Sequence, residues 1–255
     1  MPMKMHILSG GRLRMRKAIY YPHAAPAETF ELPVSCILLR HDRGNVLFDT
    51  GCHPDIGKDP IPRWGGMARF MTPVMAEGDH VLNSLACVGL SPDDISHVVC
   101  SHLHTDHCGC NQFFTKAKIY IHEAELAAAR APDGVQMGYL PADWDHPMPV
   151  EPVADGHDVF GDGRIRLVHL PGHTPGAMAA LVRLDRDGLF LLASDAVSVR
   201  ANLDENFAPK NTWSVEKCLA SYARIRDLEQ RGATVICGHD DAQWRGLRRG
   251  ADYYA

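Results

Sequence analysis

No stretch of this 255-residue chain is apolar for long enough to cross a bilayer, since a membrane helix needs roughly 18 or more consecutive apolar residues. Met1 to Gly10 carry one lysine and a short mixed run, without the long apolar region of a secretion signal, so a cytoplasmic protein is expected. Excess positive charge is missing too. The net charge is −5 and the pI about 6.3, which leaves no electrostatic footprint for nucleic acid. The basic stretches Arg12–Lys17 and Arg245–Arg249 read as solvated faces. Low-complexity linkers and internal repeats are absent. So is the composition of a disordered chain, with 22% charged and 45% hydrophobic residues. That content predicts one domain over residues 1–255 with a sizeable core.

Several catalytic devices are missing as well. There is no Gly-x-Ser-x-Gly elbow to carry a serine nucleophile, and no phosphate loop or dinucleotide fingerprint. The eight cysteines (Cys36, Cys52, Cys87, Cys100, Cys108, Cys110, Cys218 and Cys237) are scattered, several within apolar strand-like runs. They read as buried free thiols rather than a disulfide framework. Cys108-Gly109-Cys110 lacks the spacing of a zinc knuckle.

What is present is an alternation of short strand-like runs with helical patterns. Met5–Leu8, Val34–Leu39, Val46–Phe48, Val98–Cys100, Lys118–Ile121, Ile165–Leu170, Met178–Leu184, Leu189–Ala193 and Val235–Cys237 are rich in Val, Ile and Leu and bounded by Gly, Pro or Asp. Helices are expected over His80–Val88, His122–Arg130 and Val215–Arg231. In the last, Ser214 is a fit N-cap, Cys218, Tyr222, Ile225 and Leu228 form one stripe, and Gly232 ends it. The pattern predicts an α+β protein of packed sheets covered by helices. Pro54–Pro73 and Ala131–Gly156 read as long loops, which in a compact domain often wall a site.

The sharpest signal is Ser101-His102-Leu103-His104-Thr105-Asp106-His107, directly after a strand-like run. In an extended segment His102 and His104 point to the same side and can share one metal. Asp106 and His107 lie where the chain must turn and can aim at a neighbouring point. Imidazole and carboxylate donors suit zinc, and also iron, manganese or cobalt. One segment cannot complete two metal shells. Three further ligand-type residues end strand-like runs: His173 in Pro171-Gly172-His173-Thr174-Pro175-Gly176, Asp195 after Leu189–Ser194, and His239 in Gly238-His239-Asp240. Strand ends are where rigid sheets hold functional groups.

These motifs, with Phe48-Asp49-Thr50-Gly51 and Leu90–Ile95 before them, resemble the metallo-β-lactamase superfamily over nearly the whole chain. Their order and spacing are most similar to those of the N-acyl homoserine lactonases. The resemblance implies an αββα sandwich of two mixed sheets flanked by helices, with two divalent cations, zinc by preference, at one edge. It implies that His102, His104 and His173 hold one cation, that Asp106, His107 and His239 hold the other, and that Asp195 bridges both. Asp49 would orient a ligand from behind. Two such metals share and acidify one water for attack on a carbonyl carbon; Asp106 could pass a proton to the leaving group.

Two positions depart from the lactonase pattern: Ser198 stands where a tyrosine is expected three residues after Asp195, and Thr105 where an aromatic is expected. An apolar wall could instead come from Trp64, Met67, Phe70 and Met71, or from Tyr139 and Trp144. The expected activity is opening of a small or N-acyl homoserine lactone. Thioester or β-lactam hydrolysis on the same metals, or an iron protein that is not a hydrolase, are the alternatives. A homodimer is preferred, with Pro54–Pro73 serving as a dimer contact or a lid.

Overall fold

Alternation along the strands decides the architecture. In the computed structural model, which describes residues 2–255, β1 (Lys4–Arg16), β2 (Thr29–His41) and β3 (Gly44–Phe48) pair antiparallel. Successive residues point to opposite faces. Ile7, Ile37, Leu39, Val46 and Phe48 enter one apolar cluster, while Leu8, Leu38 and Leu47 enter another. Both faces are thus apolar, and both must be covered. β4 (Thr72–Pro73) closes the β1 edge. Beyond β3, the strands β5 (Ile95–Val99), β6 (Lys118–His122) and β7 (Val150–Val153) add in parallel, giving seven strands in the order β4-β1-β2-β3-β5-β6-β7.

The second sheet has four strands, β8 (Ile165–His169), β9 (Met178–Leu184), β10 (Gly188–Ser194) and β11 (Ala233–Cys237), in the order β11-β10-β9-β8, with β10 and β11 parallel. Leu167, Ala180, Val182, Leu192 and Ile236 meet Ile7, Ile37 and Val46 in the core between the sheets. The helices are α1 (Ile61–Trp64), α2 (Val81–Cys87), α3 (Thr105–Cys108), α4 (Glu123–Ala129), α5 (Pro141–Trp144), α6 (Arg200–Asp204), α7 (Val215–Gln230) and α8 (Asp241–Gly246). Val81 and Leu85 of α2 and Leu126 of α4 cover the outer face of the first sheet. Leu203 of α6 and Cys218, Tyr222 and Ile225 of α7 cover that of the second. This is the αββα sandwich expected from the sequence. Ser214 caps α7 through Lys217 N–H, at 3.3 Å. His122 caps α4 by accepting from Ala124 N–H, at 3.2 Å. No helix among the described residues is long and apolar enough to cross a membrane.

Three expectations need correction. Arg12–Lys17 is not a uniformly solvated face: most of it continues β1, with Leu13 and Met15 buried, while Arg12 pairs with Asp241 and Arg14 with Glu31. Pro54–Pro73 is not one loop but a chain of short helical turns, 54–57, α1 and 65–69, ending in β4. Ala131–Gly156 hides α5 and β7. Pro152 and Glu151 break the apolar alternation of β7, and proline is tolerated there because β7 lies at the sheet edge. All eight cysteines are free, and only Cys87 is exposed. The Cys108 and Cys110 thiols donate to the carbonyls of His104 and Cys52, at 3.3 and 3.2 Å.

Candidate metal centre

The site forms where three strands of the two sheets end side by side. Asp49 follows β3 and Ser194 closes β10. Both take left-handed backbone, with φ of 61° and 45°, a conformation that non-glycine residues adopt at a cost and that clusters at functional sites. Asp49 is 1% exposed. It accepts from Ser101 N–H and Ser101 Oγ, both at 2.7 Å, from His107 Nδ1 at 2.9 Å, and from Ser194 Oγ at 3.1 Å. One carboxylate thus ties the ends of β3, β5 and β10 together and fixes the His107 ring with Nε2 facing inward.

The other rings are held from behind in the same manner. His239 Nδ1 donates to the Pro33 carbonyl at 2.8 Å, and His104 Nε2 to the Met137 carbonyl at 3.1 Å. The inner nitrogens then face one another: His107 Nε2 and His239 Nε2 are 3.3 Å apart, and His104 Nδ1 and His173 Nε2 are 3.0 Å apart. Lone pairs at such distances repel unless a proton or cation lies between them. His102 Nε2 is buried with no hydrogen-bond partner among the described residues.

Asp195 sits between the two pairs. Its Oδ1 is 3.0 Å from His239 Nε2, and its Oδ2 is 3.3 Å from His173 Nε2. Asp106 Oδ2 is 3.6 Å from both His107 Nε2 and His239 Nε2. The ligand atoms of three groups lie within 4.8 Å of one another: His102, His104 and His173; His102, His107 and Asp195; and Asp106, His107 and His239. All seven residues named from the sequence therefore meet in one place, although they span 137 positions, from residue 102 to residue 239.

Electrostatics divides the cluster. Burial, reinforced by the neighbouring imidazoles, holds His102 well below its ordinary pKa and pushes His104 down to about 3. Burial opposes protonation of His107 too, but the Asp106 and Asp49 carboxylates outweigh it and push His107 up to about 10. Burial likewise opposes ionisation of Asp195, yet His239 and His173 hold it well below the usual carboxylate range. The buried, ionised Asp195, with the Asp106 carboxyl and inward-facing imidazole nitrogens around it, forms a donor set that fits divalent cations.

The loops that carry the ligands leave little space. A Cβ on Gly238 would lie 2.5 Å from Asp195 Oδ1. Gly238→Ala is therefore expected to displace Asp195 and to lower metal occupancy even where the protein folds; elemental analysis of the purified variant checks this. On the opposite side Glu125, fully buried, accepts from Leu103 N–H at 3.0 Å and Gly176 N–H at 2.9 Å. It staples the His102–His104 segment to the His173 loop, and no sequence signal marked it. Glu125→Ala orphans both donors and leaves a cavity, for an expected loss of about 3 kcal/mol; the urea midpoint measures it.

A cavity of about 240 Å³ opens on His104 and His173, lined also by Met137, Tyr139, Asn211 and Trp213. Larger hollows of about 510 and 470 Å³ border Pro54–His80 and Asp55–Ala142, but they touch none of the seven ligand-type residues. The proposed wall from 64 to 71 needs correction. Trp64 is 2% exposed and packed inside, its indole donating to Thr105 Oγ1. Thr105 donates in turn to Asp143, which pairs with Arg63. Thr105 and Trp64 thus belong to a sealed polar network that fixes the start of α3. Met67 and Met71 pack partly buried beside it, and Phe70 faces solvent, 67% exposed. Ser198 is fully buried, and Trp144 joins the outer core of the first sheet. Tyr139 lines the cavity; Asn211 and Trp213 were missed, since nothing in their local sequence sets them apart.

Fold and site together define a metal-dependent hydrolase, and the chain belongs to the metallo-β-lactamase superfamily, whose family model matches residues 29–239. Within it, the chain is similar to the N-acyl homoserine lactonase AttM of Azorhizobium caulinodans, at 31% identity over 258 residues covering 98% of each chain. A solved N-acyl homoserine lactone hydrolase, with the product N-hexanoyl-L-homoserine at its catalytic metal centre, superposes with a TM-score of 0.88 at 26% identity, covering 99% of both chains. The dizinc quorum-quenching lactonase AidC shares the fold, with a TM-score of 0.72 at 17% identity, over 98% of this chain and 92% of that one.

Proposed function

We propose that the protein opens the ring of an N-acyl homoserine lactone or a similar small lactone, using two zinc ions. The observation that carries this reading is Asp195, whose two oxygens face His239 and His173 separately, as a ligand common to two cations must. The likeness to lactonases along the full chain supports the substrate class. His102, His104 and His173 would hold one ion, and Asp106, His107 and His239 the other, with Asp195 touching both. When bound, such a pair acidifies a water and polarises the ester carbonyl.

The rest falls to the chain. Asp49 keeps the His107 ring in one tautomer and orientation. Trp213 and Met137, 43% and 44% exposed, offer an apolar border for the acyl group, with the Asn211 amide beside them. Asp106 would pass a proton to the oxygen that leaves. All the ligands but His104 are buried, which shields them from bulk water.

The test pairs elemental analysis with turnover of short- and long-chain acyl homoserine lactones, γ-butyrolactone, a thioester and a β-lactam. About two zinc ions per chain with fast lactone opening is the expected result. Two ions with preferred thioester or β-lactam cleavage would keep the centre and replace the substrate. Iron without hydrolysis of any of them would sink the hydrolytic reading.

A further inference from the structure

The cavity beside His104 and His173 is walled by two further stretches of chain, one from Gln136 to Tyr139 and one from Lys210 to Trp213. Backbone hydrogen bonds fix the second stretch. Lys210 N–H donates to the Ile19 carbonyl at 2.9 Å, Thr212 N–H to the Pro209 carbonyl at 3.2 Å, and Trp213 N–H to the His173 carbonyl at 3.0 Å. Lys210 thus stands three residues from a direct bond to the loop that carries His173. Its place relative to the centre is set by the backbone and not by a free loop.

The charge of the lining is one-sided. Among the described residues that form it, Lys210 carries the ammonium, and no aspartate or glutamate balances it. This is not the edge of a basic surface, because the chain as a whole has a net charge of −5. Lys17, Lys116 and Lys118 each pair with a carboxylate at 2.7 or 2.8 Å. Lys210 is exposed and has no such partner among the described residues. The neighbouring polar side chains, Gln136, Asn211 and Thr212, can all donate hydrogen bonds. Thr212 Oγ1 is buried without a hydrogen-bond partner among the described residues. A cation set among neutral donors, with no acceptor-only group beside it, is a setting for an anion.

We propose that the cavity selects lactones whose acyl arm ends in a carboxylate, and that Lys210 is the specificity-determining residue that reads it. This rests on the lactonase reading above. The ester lies toward His104 and His173, the methylenes of the arm run along Met137 and Trp213, and the terminal carboxylate meets the ammonium. One ammonium matches a single negative charge, whereas a phosphate dianion would leave one charge uncompensated. The cavity volume of about 240 Å³ suits a short arm. The contact lies away from the reacting bond and is the same in ground and transition states, so it acts on KM and not on kcat.

Paired substrates give the test. Homoserine lactones with succinyl, glutaryl and adipoyl arms are compared with their terminal primary amides, which have the same shape and no charge, on the zinc-loaded enzyme; N-hexanoyl homoserine lactone is the neutral reference. In the wild type, at least one acid is expected to exceed its amide about 10-fold in kcat/KM, through KM, with kcat within about threefold. Salt at about 0.5 M should shrink that preference. Lys210→Met should bring the ratio of acid to amide to within about twofold, and Lys210→Arg should keep most of it. Lys217→Met, on α7 and outside the cavity lining, should leave the ratio as it is. Zinc content and melting temperature, expected to match the wild type, monitor the fold. A wild type that opens N-hexanoyl homoserine lactone and prefers no acid over its amide overturns the role of Lys210 alone, as does a preference that persists in Lys210→Met. A wild type that opens no lactone overturns the lactonase reading, and this proposal with it.

Discussion

Asp195→Asn is expected to remove both metals together. Its two oxygens are each spoken for, 3.0 Å from His239 and 3.3 Å from His173. The asparagine keeps one oxygen, replaces the other with an NH₂ that cannot coordinate, and deletes a charge that the surrounding imidazoles hold ionised. Loss of a supporting group behind a ligand typically weakens metal binding 10- to 100-fold. Loss of a ligand common to two ions should exceed about 100-fold for each, with activity falling at least as far. Zinc content after dialysis against a graded chelator series measures this directly. Retention of one tight ion with selective loss of the other would contradict a bridging Asp195. The same chelators applied to the wild type should abolish turnover, and zinc should restore it.

The second large effect is expected at Asp49, which touches no cation in the proposed centre. Its carboxylate receives four hydrogen bonds, from Ser101, Ser194 and His107, in a pocket only 1% exposed. Asp49→Asn keeps the shape but turns one acceptor into a donor among groups that are themselves donors. At least one buried hydrogen bond to a charged group is lost, which costs about 3 kcal/mol. The effect should also reach the metals, because the His107 ring loses the partner that fixes its Nε2 inward; a 10- to 100-fold drop in affinity is expected. Chemical denaturation of the metal-free protein separates the stability part from the metal part. If stability falls and zinc affinity does not, Asp49 is a structural tie between strands and no more.

The neighbourhood of Asp49 also shows how ligand identity and ligand support differ in legibility. His102, His104, Asp106 and His107 stand within six residues of sequence, and spacing alone marks them. His173, Asp195 and His239 were legible because each ends an apolar run, and a strand end is fixed by local pattern. Asp49 came from motif resemblance. Glu125 gave no such signal: it reads as one more helix-favouring residue in an Ala- and Glu-rich segment. Only the packing of α4 under the His173 loop, where Gly176 approaches the Glu125 backbone too closely for any Cβ, turns it into a staple.

The elements follow the same division. Strands with apolar alternation and the capped helix α7 were readable, because period-two and 3.6-residue patterns are local consequences of which face is buried. β7 was not, since an edge strand needs neither full apolar alternation nor a complete hydrogen-bond ladder. The 54–73 segment reads as a loop in the sequence because its four- and five-residue turns are too short to show periodicity.

By itself, then, the sequence determined packed sheets covered by helices, the seven residues that meet at the centre and the chemistry their donor atoms suit, because each follows from local pattern or from residue type; the αββα arrangement came from motif resemblance. Tertiary structure alone decided what surrounds them. It buried Trp64 and Thr105 in a polar network where a pocket wall was expected. It set Met137, Asn211 and Trp213 around the cavity. Those placements depend on contacts between residues tens of positions apart or more, as Trp64 with Thr105 and Thr105 with Asp143, and no local periodicity records which distant surface a side chain will meet.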